Sequence, residues 1–489
     1  MKLSSLIKDF EYSVVTGSVD AEVTDFTNDS RKVVKGSAFI CIKGAVSDGH
    51  AYAEDVIKSG ASAVIVQDDL KIEIPKGVTV VKTKDTRYAM ALMSAAFFGY
   101  PADKLKVIGI TGTKGKTTTT YMIREVLERS GFKTGLIGTI ETIIGDKHIP
   151  SANTTPESFV IQKTFKDMVE SGITHVVMEV SSQGLMLHRT AGINFEIGVF
   201  TNLEPDHIGP NEHESFEDYM HCKGLLFKQC RLGLINADDE HANSVIEGHT
   251  CELKTFGLKD SYDYHAKGHK LITGPGYIGV GYTLMGKESF DIEIKLPGTF
   301  SIYNSLCAAS VALELGAKPS DVKNSLSEVK VKGRTEIIKI SDDFTLMIDY
   351  AHNAMALESL LNTLKEYKPG RIVTLFGCGG NRAKSRRFEM GEVSGKLSDL
   401  TVITSDNPRN EKPEDIIADI VTGIKKTTGE YVCIPDRKEA IKYVIENAKK
   451  GDCIILAGKG HEDYQEINGA KHHMDERELI EEVLKELKQ

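Results

Sequence analysis

The sequence predicts an α/β protein of three domains: a small N-terminal α/β domain, a central parallel-sheet domain of the phosphate-loop kind, and a C-terminal Rossmann-like α/β domain. Three observations lead there. At 489 residues the chain is too long for one ordinary core, and at roughly 100–200 residues per domain it divides into about three. Short apolar runs alternate with helical stretches along most of the chain, the pattern of parallel strands joined by crossover helices. At 107–119 the run VIGITGTKGKTTT passes from an apolar segment through a glycine-flanked turn into a helical pattern, the outline of a nucleotide phosphate cradle.

Residues 1–90 hold three short apolar runs, SAFICIKG, ASAVIVQ and VTVVKT, with a helical stretch at 51–59, and form the first domain. An alanine- and methionine-rich helix from Tyr88 to Phe98 leads into the second, 91–332. There KVIGITG, KTGLIGT, HVVMEVSS, IGVFTNL and LGLINAD are buried-strand candidates, bounded by polar or glycine-rich turns. Residues 257–296, with YIGVGYTLMG and SFDIEIKL, read as an antiparallel excursion. The third domain, 333–489, opens at the KGRTE segment and repeats the α/β pattern with TLMIDYAH, RIVTLFGCGG, LTVITSDNP and CIILAGKGHE.

Composition narrows the function classes. A formal net charge of -10 repels a phosphate backbone, so nucleic acid is disfavoured as a partner. Eight cysteines stand singly, with no C-x-x-C and no zinc-like Cys/His cluster, as free thiols do in a reducing compartment. The opening MKLSSLIKDFEYSVV reaches Asp9 and Glu11 before any apolar stretch of signal-peptide length, and no run approaches a membrane span. The expectation is a cytoplasmic monomer without a membrane partner.

In the cradle Gly112-Thr113-Lys114-Gly115-Lys116-Thr117-Thr118, glycine lets backbone N–H groups approach phosphate oxygens. Lys116 supplies a compact positive charge, and the Thr117 hydroxyl stands at a helix start where it can hold Mg²⁺. The common pattern has its first glycine where this chain has Ile110, so the loop is a shorter variant. ATP or GTP is the expected ligand. A bare glycine-rich turn would account for neither Lys116 nor the threonine run to Thr120.

Ligands of open parallel sheets sit beyond the carboxyl ends of the strands, so polar residues just after apolar runs are the next candidates. Glu179-Val180-Ser181-Ser182 follows HVVM, and Glu179 is placed to orient Mg²⁺; the plain alternative is a helix cap by Ser181 or Ser182 with Glu179 solvated. Thr201-Asn202-Leu203-Glu204-Pro205-Asp206-His207 follows IGVF, and Asp206-His207 offers two metal-ligand types. Asp349-Tyr350-Ala351-His352 follows TLMI. After VTLF comes a glycine loop with Arg382, Lys384, Arg386 and Arg387, either a solvated face or cations that grip phosphate or carboxylate. Asp406-Asn407-Pro408-Arg409 presents a carboxylate and a guanidinium around a stiff turn, suited to a zwitterionic amino acid, though taken alone the tetrapeptide favours a plain Asx-type turn. Gly458-Lys459-Gly460-His461-Glu462 ends the last of these strands. A nucleotide and Mg²⁺ site in one α/β domain and charged loops in the next suggest an ATP-dependent ligase, in which ATP activates a carboxylate as an acyl phosphate and an amine attacks it.

Ten ordered segments, GTKGKTT, NTTP, MEVSS, TNLEPDH, YMHCKGLLF, LPGTFSIYN, GRTE, DYAHN, DNPR and GKGHE, resemble the Mur ligase family over the whole chain. The resemblance implies a peptide-bond ligase of peptidoglycan precursor synthesis, using ATP and Mg²⁺. By it, Lys116 and Thr117 serve the phosphates and metal, Glu179 and His207 the metal sites, and Lys223 is a carbamylated lysine, an anionic oxygen ligand. The residues alone would make Lys223 a surface helix position. Asn304, Arg334, Asp349 and His352 match nucleotide contacts; Ser30, Thr154, Thr155, Ser181 and Arg189 match positions holding the UDP-muramoyl dipeptide, which makes the first domain the UDP-binding one. Asp406-Asn407-Pro408-Arg409 is similar to the signature of members that add meso-diaminopimelate, with Arg409 facing the carboxylate that lysine lacks, and Arg382, Gly458 and Glu462 match the remaining contacts.

The chain departs from the family pattern at Lys114, where asparagine is usual, at Leu187, where many members have glutamine, at Gly209, where a second acid is lost, and at Asn353-Ala354-Met355, where a proline-containing run is more frequent. L-lysine as the added amino acid, a folylpolyglutamate or cyanophycin-type synthetase, and a nucleotide-binding regulator that forms no bond are the competing readings. The DNPR and GKGHE pair argues against the second, and intact Lys223, His207 and Glu179 against the third.

Overall fold

Apolar runs buried on both faces become the strands of parallel sheets. The computed structural model describes residues 1–44, 47–209 and 212–488. Contacts divide it into two units, Met1–Gly257 and Leu258–Gln489.

The first unit opens with a five-stranded sheet in the order Tyr12–Thr16, Thr79–Thr83, Ala63–Val66, Ser37–Ile40, Asp25–Thr27, parallel except for the first strand. Helix Thr86–Phe97, capped by the Asp85 carboxylate, lays Ala89, Met90 and Met93 against Leu6, Phe26 and Ile65. Next, Glu252–Gly257, Cys230–Asn236, Phe195–Phe200, Lys106–Thr111, His175–Glu179 and Thr134–Ile137 lie side by side, all parallel. The hairpin Glu141–Ile144 and Lys147–Pro150 extends that sheet antiparallel, across a positive-φ Gly145. Because Lys106–Thr111 runs between His175–Glu179 and Phe195–Phe200, the loops after these three strands emerge together at one edge.

In the second unit, Tyr264–Gly274, Tyr277–Met285 and Phe290–Ile294 pair antiparallel, as read from 257–296. Helices Thr299–Glu314 and Pro319–Glu328 follow. The final sheet is ordered Glu336–Ile337, Thr345–Asp349, Asp452–Ala457, Arg371–Phe376, Leu400–Ile403, Tyr431–Cys433, parallel but for its first strand. A separate hairpin, Tyr464–Ile467 with Ala470–His473, turns on Asn468-Gly469, both at positive φ.

The basic run after VTLF does not form one reaching face. Arg387 is buried, donating to Glu411 at 2.7 and 2.9 Å and to Asp419 at 2.9 Å, and Lys384 pairs with Asp419 at 3.4 Å, while Arg382 stays exposed. The eight cysteines are free thiols. Among the described residues no helix is long and apolar enough to cross a membrane.

Candidate active site

Strand Lys106–Thr111 delivers the chain into the loop, and Gly115 opens helix Lys116–Arg129. Gly112 has φ +148°, and a β-carbon there would lie 1.9 Å from Thr201 Oγ1. That hydroxyl donates to the Lys114 carbonyl at 2.8 Å, and the Asn202 carboxamide accepts from Lys114 N–H at 2.8 Å, so the strand end at 201–202 moulds the loop. Lys114, the residue in place of the usual asparagine, meets Glu204 at 2.5 Å. Gly112→Ala is expected to force Thr201 off the loop and cost about 1–3 kcal/mol, a roughly ten- to hundredfold weaker ATP affinity, read by calorimetry. Unchanged affinity would show that ATP does not use this loop.

Two lysines meet at one carbonyl. Lys116 Nζ donates to Gly112 O at 2.8 Å and Thr113 O at 3.0 Å, and Lys223 Nζ donates to Gly112 O at 2.8 Å. Lys223 is only 1% exposed and its Nζ sits 4.2 Å over the Tyr219 ring, which corrects the surface-helix expectation. Helix Phe216–Gly224, capped by Ser215, turns it inward. Burial, and then the Lys116 charge, push the Lys223 amine well below the ordinary lysine range.

Thr117 Oγ1 donates to Glu179 Oε2 at 3.0 Å, and Thr139 donates to the same carboxylate through its N–H at 2.8 Å and hydroxyl at 3.0 Å. Glu179 is therefore buried and triply bonded, whereas Ser181 does cap helix Ser182–Met186, accepting from Gly184 N–H at 3.0 Å. Thr154 lies 3.0 Å from the Thr139 hydroxyl; Thr155 donates to the Glu179 carbonyl at 3.0 Å; Arg189 donates to the Thr155 carbonyl at 2.9 Å and pairs with Glu157 at 2.6 Å. These residues gather at the strand ends beside the loop at 112–118. Ser30 stands apart from these bonds, half-exposed in the turn that Asp29 caps. Leu187 ends the Ser182–Met186 helix. His207 takes a left-handed backbone at φ +55° and its ring lies 3.3 Å from Glu212, exposed, with Gly209 just beyond.

In the second unit Asp349 accepts from Thr335 N–H at 2.7 Å and Ala351 N–H at 2.8 Å, and burial raises its pKa. The Arg334 guanidinium lies 4.7 Å over Tyr350, whose ring also faces His461 at 4.8 Å and His352 at 4.6 Å. Burial, with Arg334, lowers His461 to about 4, so that ring is neutral near pH 7. Gly333 fits against Gly460 and His461, where a β-carbon would come within 2.1 Å of the His461 nitrogen. Asn304 is buried in helix Thr299–Glu314, and Asn353 caps the helix that Ala354 begins.

The DNPR and GKGHE loops close on a residue that sequence reasoning passed over. Lys459 is wholly buried and its ammonium donates to Asn407 Oδ1 at 3.0 Å, to Glu462 Oε2 at 2.9 Å and to the Tyr464 carbonyl. Burial works against ionising Glu462, but Lys459 and the Asn407 amide hold its carboxyl below the usual range. Asp406 Oδ2 lies where a β-carbon on Gly458 would stand 2.9 Å away. Arg409, at φ +51° after Pro408, donates Nε to Glu466 at 2.9 Å and Nη1 to the Gly380 carbonyl at 2.7 Å, which ties it to the loop carrying Arg382.

The Mur ligase family catalytic domain matches residues 22–108, the Mur ligase middle domain 110–312, and the Mur ligase glutamate ligase domain 333–460. A protein of Clostridium acetobutylicum named UDP-N-acetylmuramoyl-L-alanyl-D-glutamate--2,6-diaminopimelate ligase 1 is 44% identical, covering 100% of both chains. The ligase of the same name, without a number, from Caldanaerobacter subterraneus subsp. tengcongensis is 45% identical over 99% of each. A solved structure of a UDP-N-acetylmuramoyl-L-alanyl-D-glutamate--2,6-diaminopimelate ligase superposes with a TM-score of 0.75 at 30% identity, covering 100% of this chain and 99% of that one.

Proposed function

The chain belongs to the Mur ligase family, and from that premise we propose that it is an ATP-dependent ligase joining meso-diaminopimelate to UDP-N-acetylmuramoyl-L-alanyl-D-glutamate in peptidoglycan precursor synthesis. The observation that carries the reading is the meeting of Lys116 and Lys223 at the Gly112 carbonyl, beside the Thr117–Glu179 pair, in a chain matched end to end by ligases of that name.

In this reading the glutamate carboxylate attacks the γ-phosphorus of ATP, ADP leaves, and the amine then attacks the acyl carbon with loss of phosphate. Backbone N–H groups of the loop and Lys116 hold the phosphates, and the oxygen donors Thr117 and Glu179, 3.0 Å apart, suit Mg²⁺. Lys223 fits a carbamate: the neutral amine that burial favours is the form that adds carbon dioxide, losing one proton and becoming an oxygen donor. Thr117, Glu179 and a carbamylated Lys223 would hold the magnesium ion, which would supply positive charge against the phosphoryl group. His207 is a further donor, and Ser30, Thr154, Thr155, Ser181 and Arg189 are the muramoyl contacts. In the second unit Asn304, Arg334, Asp349 and His352 serve the nucleotide, and Arg382, Asp406, Asn407, Pro408, Arg409, Gly458 and Glu462 the amino acid.

The test is ADP release with ATP, Mg²⁺ and UDP-N-acetylmuramoyl-L-alanyl-D-glutamate, comparing meso-diaminopimelate, L-lysine and no amine, with product mass from the same tubes. Turnover with diaminopimelate alone is expected. A lysine preference would keep the ligase and remove the specificity; no amine-dependent ADP would remove both.

A further inference from the structure

His213 joins three parts of the site, though neither the phosphate nor the substrate assignment uses it. Its side chain is 0% exposed, and both ring nitrogens are engaged: Nδ1 with Asp218 Oδ2 at 2.9 Å and Nε2 with Ser182 Oγ at 2.8 Å. Its backbone N–H donates to the His207 carbonyl at 3.0 Å, and its carbonyl accepts from Gly209 N–H at 3.2 Å. The ring also packs edge-on to Tyr219 at 5.2 Å, whose hydroxyl lies 3.1 Å from Thr113 Oγ1 in the phosphate loop and whose face carries Lys223. His213 thus reaches the His207 loop through its backbone, and the Ser181-Ser182 turn and the helix bearing Lys223 through its ring.

We propose that His213 is a positioning residue for the ligase reaction, fixing the Ser181-Ser182 turn relative to the Lys223 helix and the phosphate loop; this rests on the ligase reading above. A carboxylate can only accept, so the Nδ1 proton points at Asp218, and in the neutral ring Nε2 accepts the Ser182 hydroxyl. Asp218 also receives the Cys222 thiol at 3.5 Å, one residue before Lys223. The acid, imidazole and hydroxyl have the connectivity of a nucleophilic triad, but Ser182 is buried at 4% exposure and its hydroxyl is committed to the ring, so the arrangement acts through geometry. Reactions between groups on separate elements are sensitive to such spacing, since a misplacement of about 1 Å can cost on the order of a hundredfold.

The experiment measures kcat, the KM values for ATP and UDP-muramoyl dipeptide, and the thermal midpoint, for the full chain with Ser182→Ala, His213→Asn and both together. Asparagine keeps a donor for Asp218 and removes the acceptor for Ser182. Each single variant is expected to lose about tenfold in kcat with the KM for ATP within about twofold, and the double variant to lose about tenfold rather than a hundredfold, because one bond is broken from either end. Multiplicative losses, or wild-type kcat in the singles, would overturn the role. Should His213→Asn fail to fold, Ser182→Ala decides alone: a tenfold kcat loss at an unchanged thermal midpoint supports the proposal, and full activity overturns it. One equivalent of zinc retained by the wild-type chain and lost in Cys222→Ser would replace the hydrogen-bonded role with a metal-held one. Absence of wild-type turnover with diaminopimelate or lysine would remove the ligase reading itself, whereas wild-type turnover with undiminished variants would remove only this role.

Discussion

Lys223→Ala is expected to lower kcat by on the order of 10³-fold or more, with ATP affinity changed far less, and to regain part of the loss when formate or acetate is added. Two lysine side chains meet at one carbonyl. Lys116 and Lys223 both donate to Gly112 O, and Lys223 lies in a buried site against Tyr219. A second full charge there is costly, and the site favours the neutral amine. A neutral amine beside the loop at 112–118 gives little by itself, but a carbamate formed on it would supply carboxylate oxygens, which a short carboxylate diffusing into the truncated site would replace. Folding also gains from deprotonation. The folded chain binds fewer protons at this position than the unfolded one, so stability should rise with pH between the depressed value and the ordinary lysine range, and level off below the first and above the second. In Lys223→Met that slope should flatten. An inactive alanine variant that no carboxylate rescues, with its thermal midpoint intact, would sink the carbamate while leaving the lysine essential.

Much of the fold was legible because its signals are local. Runs such as VVM and IGVF are apolar without alternation since their strands are covered on both faces, and GTKGKTT carries its own geometry. The hairpin at 464–473 had a signal too, the Asn468-Gly469 pair whose positive φ values suit a tight turn, and it was passed over. The polar interior was harder to read. Phe216–Gly224 has the look of a surface helix, and only Gly112, more than a hundred positions earlier, makes Lys223 an interior residue. Arg387 belonged to a basic run until Glu411 and Asp419 enclosed it, and Lys459 was the unremarked letter of GKGHE until Asn407 and Glu462 closed on it. Pairings of this kind depend on tertiary neighbours, so periodicity carries no trace of them.

Arg409→Ala is expected to reduce kcat/KM for meso-diaminopimelate by about a hundredfold, roughly 2.7 kcal/mol, while changing that for L-lysine only a few fold. The two amino acids differ by one carboxylate, so a residue that reads the difference must act on one substrate and spare the other. Arg409 has the form for it. Pro408 and a left-handed backbone fix where the side chain starts, and Nε and Nη1 are held by Glu466 and the Gly380 carbonyl, which leaves the guanidinium plane set before ligand arrives. Those bonds also make a competing outcome definite. If Arg409 chiefly braces the Gly380 loop, its loss displaces Arg382 as well, and both substrates suffer alike. Arg409→Lys separates the two accounts: it keeps the charge and gives up the planar fork, so a carboxylate reader should retain part of its preference for diaminopimelate. A brace should lose activity toward both amino acids to the same degree as the alanine variant, since one ammonium cannot span Glu466 and Gly380 in the same plane.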